Sequence, residues 1–379
     1  MGSIPEWYVE RDLLLKENQI VKRSLLDIDY DSLQSLSMFS TVMPPKINYI
    51  SSNNVLISYK VNPKRPNRFD VGVEELEDNQ GIALFAKLKH FNNLIYSDFL
   101  EFQTQLGYLN DLDVRTYQIH YSQPWLLNQY PIAFDLNIFT KYRSEVYQGD
   151  FDVYKTIRTG GSFFFTKSFK LLKLNIGAGT RYERVSPQTS GEFQSYDLRS
   201  ISLFIDQNKV RNFTNPKKGY RSKISYDLGG DIAGIDVGGV AFSRFSLNHS
   251  HYFPVTENQV FAARLFGGIF KKQSSISTFE SEKFSLGGAN SLRGYQEFAM
   301  YGNYRLSFNL EQRIMVNRYT TFALFYDGGY INDSFDLLFD DYYHGYGFGF
   351  RWFNTFMPIR LDFGFGEDFI IHLNVSQTF

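Results

Sequence analysis

Cysteine is missing altogether from the 379 residues. Disulfides, thiolate metal sites and cysteine nucleophiles go with it, although the absence by itself assigns no compartment. Long apolar runs are missing too. No stretch of about 18 hydrophobic residues occurs, so a transmembrane helix cannot be built. Nor does the opening read as a secretory signal, because MGSIPEWYVERDLLL carries charges where an apolar core belongs. The initial Met-Gly-Ser reads as an added start, and an export signal is expected upstream of the sequence. Net charge is close to absent: 39 basic against 40 acidic residues leave −1, and no nucleic-acid partner is expected. Signatures of chemistry are also lacking. There is no Gly-x-Ser-x-Gly, and the six histidines form no ligand set. His249 and His251 share a strand face without a third ligand nearby, and read as solvated or interior histidines. GYGFG, from Gly345, is a faint echo of a nucleotide loop that alternation explains better. Neither a metal, a cofactor nor an enzymatic activity is expected.

What the chain has in surplus is aromatics, 38 Phe and 26 Tyr, at a mean hydropathy of only −0.29. From about residue 67 they fall into a period-2 pattern. In FIIHLNVSQTF one face takes Phe369, Ile371, Leu373, Val375 and Phe379, and the other His372, Asn374, Ser376 and Thr378. YRLSFNLEQRI sets Tyr304, Leu306, Phe308 and Leu310 against Arg305, Ser307, Asn309 and Glu311. IRLDFGFG and GYGFGFRWF repeat the theme, with Arg360, Asp362 and Arg351 on their polar faces. Strict alternation means strands with one apolar and one polar face. About sixteen such segments follow one another, at roughly twenty residues per strand and connection, with no helical stretch between them.

Alternation does not say which face meets water. A soluble sandwich would bury the Phe/Leu face. Three features favour the opposite choice. Sixteen consecutive strands without a long crossover suit a barrel better than a sandwich of about seven to nine. The second face carries charge and glycine, as a wet and crowded interior would. The aromatic surplus suits girdles at two bilayer interfaces. In hydrocarbon every backbone polar group must be paired within the protein, which a closed barrel achieves without an edge. The expected fold is all-β: a sixteen-stranded antiparallel transmembrane β-barrel over residues 67–379.

Residues 1–66 differ. YDSLQSLSMFSTV places Leu33, Leu36 and Phe39 at helical spacing, with Asp29 or Asp31 able to cap its start. PKINYI, a turn at SSNN and VLISYKV follow, with Val55, Ile57, Tyr59 and Val61 on one face, before a break at NPKRPN. This helix–strand–strand order is expected to form a small module lacking its opening strand.

At this point the sequence resembles the outer membrane protein 85 superfamily, which includes barrel-assembly proteins, two-partner secretion transporters and patatin-carrying autotransporters. Residues 25–62 are similar to the end of a polypeptide-transport-associated (POTRA) domain, and the remainder to the sixteen-stranded barrel. SLRGY, Ser291 to Tyr295, resembles the family's sixth-loop motif, between the eleventh and twelfth strands. FYDGGY matches the Asp-x-Gly element of the thirteenth strand, giving Asp327 and Gly329. DQNKVRNFTNPKKGY resembles the stretch leading into the ninth, with Asp206, Pro216 and Gly219. The chain ends in an aromatic, as barrels of the outer membrane do. Gln377 departs from the pattern, at an outward position where an apolar residue is usual.

The resemblance implies that Arg293 pairs with Asp327. Parity supports this separately: Glu311 and Asp327 both lie on polar faces, towards which a loop folded inward would point its guanidinium. Gly287, Gly288 and Gly294 would allow the tight backbone that delivers Arg293, flanked by Ser291, Leu292 and Tyr295. Losing one partner of such a buried pair costs about 3–5 kcal/mol. The function implied is insertion of proteins into, or translocation across, the bacterial outer membrane, with the module in the periplasm receiving a client polypeptide by strand addition. The alternative is the barrel anchor of a patatin-type autotransporter whose hydrolase lies outside the sequence. Outer-membrane lipid and lipopolysaccharide would surround the wall, and a second copy or accessory subunits are further expected partners. The seam between Arg68–Glu75 and Phe369–Phe379 is the expected gate.

Overall fold

The computed structural model describes residues 6–36, 38–75, 82–91, 98–109, 112–127, 129–146, 153–188, 194–210, 215–232, 235–353 and 358–374. Its dominant element is a single sheet of sixteen strands, every neighbouring pair antiparallel and consecutive in the chain. The first five are β1 (Asn67–Glu75), β2 (Ile82–Phe91), β3 (Phe99–Leu109), β4 (Leu112–Gln123) and β5 (Ala133–Val146). Next come β6 (Val153–Phe169), β7 (Leu174–Pro187), β8 (Tyr196–Asn208), β9 (Gly219–Gly229), β10 (Phe242–Thr256) and β11 (Gln259–Lys272). The last five are β12 (Tyr304–Met315), β13 (Thr320–Asn332), β14 (Tyr343–Phe353), β15 (Pro358–Phe365) and β16 (Phe369–Asn374). β1 and β16 are the end strands of this order, and among the described residues no ladder joins them.

The two faces of the sheet settle the question that alternation leaves open. On one face large apolar side chains stay exposed along the whole order: Leu88 at 48%, Phe102 at 46%, Leu203 at 51%, Leu324 at 48% and Ile371 at 54%. Soluble monomers rarely leave a contiguous apolar surface beyond a few hundred Å². The opposite face holds Arg158, Glu183, Ser202, Asn309, Glu311, Asp327 and Arg360, all buried. A sheet that is apolar outside and polar within is the arrangement hydrocarbon imposes on strands. Among the described residues no helix is long and apolar enough to cross a membrane.

Connections alternate between the two ends of an antiparallel meander. At one end they are short, as in the Lys170–Leu172 turn between β6 and β7. From the other end leaves the longest, residues 273–303 between β11 and β12, which folds back onto the polar face. It contains a 3-10 turn at Glu280–Glu282 and a hairpin that pairs Phe284–Leu286 with Met300–Gly302.

The N-terminal segment packs against the short-turn end. Helix α1 (Glu6–Glu10) and helix α2 (Arg23–Ser35) enclose Tyr8, Leu33, Leu36, Met38, Phe39 and Val42 with strands Phe39–Val42 and Val61–Pro63. A second hairpin pairs Lys46–Tyr49 with Val55–Ser58. Asp12 joins the segment to the sheet, accepting from Lys170 Nζ at 2.8 Å and Trp125 Nε1 at 3.2 Å. The helix expected around Leu33 begins earlier than the sequence indicates, at Arg23. Asp29 therefore sits inside it rather than at its cap, and accepts from the backbone N–H groups of Leu14 and Leu15 at 2.6 and 3.1 Å. Asp31 does not cap it either, but reaches Lys173 of the β6–β7 turn at 3.0 Å.

Candidate functional site

The inward loop delivers Arg293 to a pocket closed by β12, β13 and β15. Gly288 and Gly294 have φ of 94° and 90°, a left-handed conformation that costs glycine little. Between them Ser291 Oγ donates to the Gly287 carbonyl at 2.6 Å and accepts from the Gly287 N–H at 3.0 Å, pinning the turn. Leu292 and Tyr295 pack with Leu286 and Ile331, so the motif's apolar members root it on one side. The wall is cut to fit main chain. A side chain at Gly345 would strike the Arg293 carbonyl, and one at Gly364 would approach the Gly294 nitrogen to 2.6 Å. At Gly329 a methyl would crowd Ser307 at 2.9 Å and Leu286 at 3.2 Å.

Arg293 is fully buried and meets three carboxylates. Its Nε and Nη2 donate to the two oxygens of Asp327 at 2.7 and 2.8 Å, a fork-to-fork pair, and its backbone N–H donates to Asp327 Oδ2 at 3.1 Å. Nη1 donates to Glu311 Oε1 at 2.6 Å and more weakly to Asp362 Oδ2 at 3.4 Å. The guanidinium carbon lies 3.5 Å from the Phe325 ring centroid. Asp327 and Glu311 offset the cost of burying the Arg293 charge. The result is a charged group held in a buried pocket.

Four arginines share these three acids. Arg313 Nε donates to Glu311 at 2.7 Å, and Arg351 reaches Glu311 at 3.1 Å and Asp362 at 2.5 Å. Arg360 lies 3.3 Å from Asp362 and also donates to the loop, to the Ala289 carbonyl at 3.1 Å and Asn290 Oδ1 at 2.6 Å. Asn309 Nδ2 bridges the Ser291 carbonyl and Asp327, each at 2.8 Å. His372 on β16 accepts from the Gly294 N–H at 3.4 Å, tying the last described strand to the loop. Sequence reasoning singled out Arg293, Glu311 and Asp327, which the structure brings together. It passed over Asp362, Arg360, Arg351 and His372 as contacts, although all four lie on the polar faces that alternation defines.

Other residues read from the sequence fall elsewhere. Phe369, Ile371 and Leu373 point outward on β16, whereas Val375, Gln377 and Phe379 lie outside the described residues. His249 and His251 are not on the interior face. They share parity with the exposed Phe245 and Phe253, opposite buried Ser250 and Tyr252. His249 Nδ1 lies 2.6 Å from Ser222 Oγ, and His251 stacks on Phe253 at 4.0 Å. Among the described residues no group of three metal-ligating side chains gathers.

An outward apolar wall, a polar interior and a long loop folded inside and anchored through Arg293 are the features of a membrane β-barrel. Residues 98–379 match the model of the Omp85 superfamily domain, and the chain belongs to that superfamily. Solved structures agree on the fold. BamA from Haemophilus ducreyi lacking POTRA domains 1–3 aligns at TM-score 0.69 and 15% identity, covering 98% of this chain and 80% of that one. CdiB from Escherichia coli aligns at TM-score 0.65 and 15% identity over 97% of this chain and 72% of that one. CdiB from Acinetobacter baumannii aligns at 0.62 and 14% identity, over 99% and 72%. No curated protein sequence matches the chain significantly.

Proposed function

We propose that this barrel inserts polypeptides into the bacterial outer membrane or passes them across it, with residues 1–66 as a POTRA-like periplasmic module that receives the client. The observation that carries the reading is the lock on Arg293, whose five side-chain and backbone contacts to three buried acids hold a loop in the path a client would take. A passive wall has no use for a charged plug of this kind. Exposed strands of the module, above all Lys46–Tyr49 with Ile47 and Tyr49 outward, offer backbone groups for strand addition. The candidate exit is the seam between β1 and β16, the two end strands of the sheet order.

The test uses the absence of native cysteine. Cysteine pairs scanned between Phe69 or Val71 on β1 and Ile371 or Leu373 on β16 are oxidised, and insertion of a model outer-membrane client into liposomes is measured. Abolished insertion that returns with reductant supports the seam. Full activity with the seam cross-linked would remove the gate; no insertion in either the oxidised or the reduced state would favour the autotransporter-anchor reading.

A further inference from the structure

The loop leaves β11 and reaches the Arg293 pocket only after passing a second buried ionic cluster, on strands that take no part in the first. At the 3-10 turn, Glu282 Oε1 lies 2.9 Å from Arg158 Nη1 on β6 and accepts from the Tyr196 hydroxyl on β8 at 2.8 Å. Arg158 Nη2 donates to Ser281 Oγ at 2.9 Å, and Arg158 Nη1 to Glu183 Oε1 on β7 at 3.0 Å. Glu183 is also paired with Arg181. The Phe279 N–H donates to the Tyr196 hydroxyl at 3.4 Å. Val185, Leu198, Phe242, Phe270 and Phe279 cover this cluster with an apolar roof. In such surroundings each charge needs its partner, since a lone one is strongly disfavoured.

We infer that Glu282 and Arg158 form a second latch, independent of Arg293, that makes the first leg of the loop a fixed post and its arginine-bearing tip the part that moves. The inference rests on the proposal that the loop obstructs a client's path. Two observations separate the latches. They share no residue, one gripping β6–β8 and the other β12, β13 and β15. The Glu282 carboxylate is also not needed for the local backbone: the turn is closed by the Lys283 N–H donating to the Glu280 carbonyl at 2.8 Å, whatever the side chain at 282. Its acid serves only the contact to the wall. Release of Arg293 alone would therefore swing the tip out of its pocket while the leg stays attached. A client would meet a hinged plug, not an expelled loop.

The absence of native cysteine makes each end separately readable. Thr278→Cys reports the leg and Ala289→Cys the tip, both positions being buried. Thiol labelling of the purified barrel in detergent is measured for each reporter in four backgrounds. Glu282→Gln is expected to speed labelling at position 278 by about tenfold or more and to leave position 289 protected. Arg293→Ala is expected to do the reverse, and the combination to expose both. Tyr196→Phe, which keeps every charge, should give a smaller increase at position 278 and guards against misfolding; the heat-dependent gel shift of intact barrels is the folding control. Equal exposure of both reporters by either substitution, or unchanged protection at 278 in Glu282→Gln, would overturn the second latch. Because labelling requires no transport, failure here leaves the proposed function standing, and failure of transport leaves the latch standing.

Discussion

The two flanks of the sheet use the same alternation for opposite ends. Inside β12–β15 the charges of Arg293, Glu311, Asp327, Arg351, Arg360 and Asp362 are sealed from water by the loop they hold. Inside β1–β5 the ion pairs among the described residues keep part of their exposure. Lys89 and Glu101, 2.8 Å apart, keep side-chain exposures of 24% and 14%, and His120 and Asp135, at 3.4 Å, keep 29% and 38%. A charge on the first flank is a lock, whose loss strands a partner in low dielectric. A charge on the second is a wetted wall, where solvent replaces whatever is removed. The difference lies in what covers the residues, not in the residues themselves.

The largest effect expected from this comparison is that of Arg293→Ala. It leaves Asp327, Glu311 and Asp362 without their central cation, a loss of about 3–5 kcal/mol of loop anchoring. Protease protection of residues 284–298 should collapse and transport fall, while the barrel keeps its heat-dependent gel mobility. Arg293→Lys should rescue little, because an ammonium cannot reproduce the fork to both Asp327 oxygens. Next comes Gly345→Ala. Its methyl would strike the Arg293 carbonyl, so the tip should lift and become protease-sensitive although no charge has changed. Third, Asp327→Asn should loosen the loop more than Asp362→Asn in the same assay, since Arg293 makes three short bonds to the first and one at 3.4 Å to the second. The smallest effect belongs to the open flank: Glu101→Gln should shift thermal unfolding by no more than about 1 kcal/mol. A loss at Glu101 as large as that at Asp327 would erase the distinction between the flanks.

Much of this was legible in the chain. Period-2 alternation marks the strands and assigns the charged residues of β12–β15 to one face, and the turn chemistry around Arg293 marks a loop with a specific task. Parity, however, assigns a face and not a neighbour. That Asn309 stands opposite Asp327, and Arg351 opposite Arg360, follows from the register of two hairpins, which sequence alone leaves open. Asp362, Arg351 and Arg360 were therefore visible as interior residues but not as contacts of Arg293. Glu282 was less visible still. It lies in a loop without periodicity, and its partners Arg158 and Tyr196 are 124 and 86 residues away (282 − 158 and 282 − 196). The start of α2 was misjudged for a different reason. Leu26, Tyr30 and Leu33 carry the apolar spacing back towards Arg23, and an acidic residue that resembles a cap is instead used by the backbone of a neighbouring segment.

The notch left by Gly345 and Gly364 admits bare backbone, so it recognises a shape and not an identity. An arginine followed by glycine is the pair of residues whose backbone this notch accepts. The socket that tethers the barrel's own segment is for that reason a place where a synthetic competitor could hold the machine in a single posture.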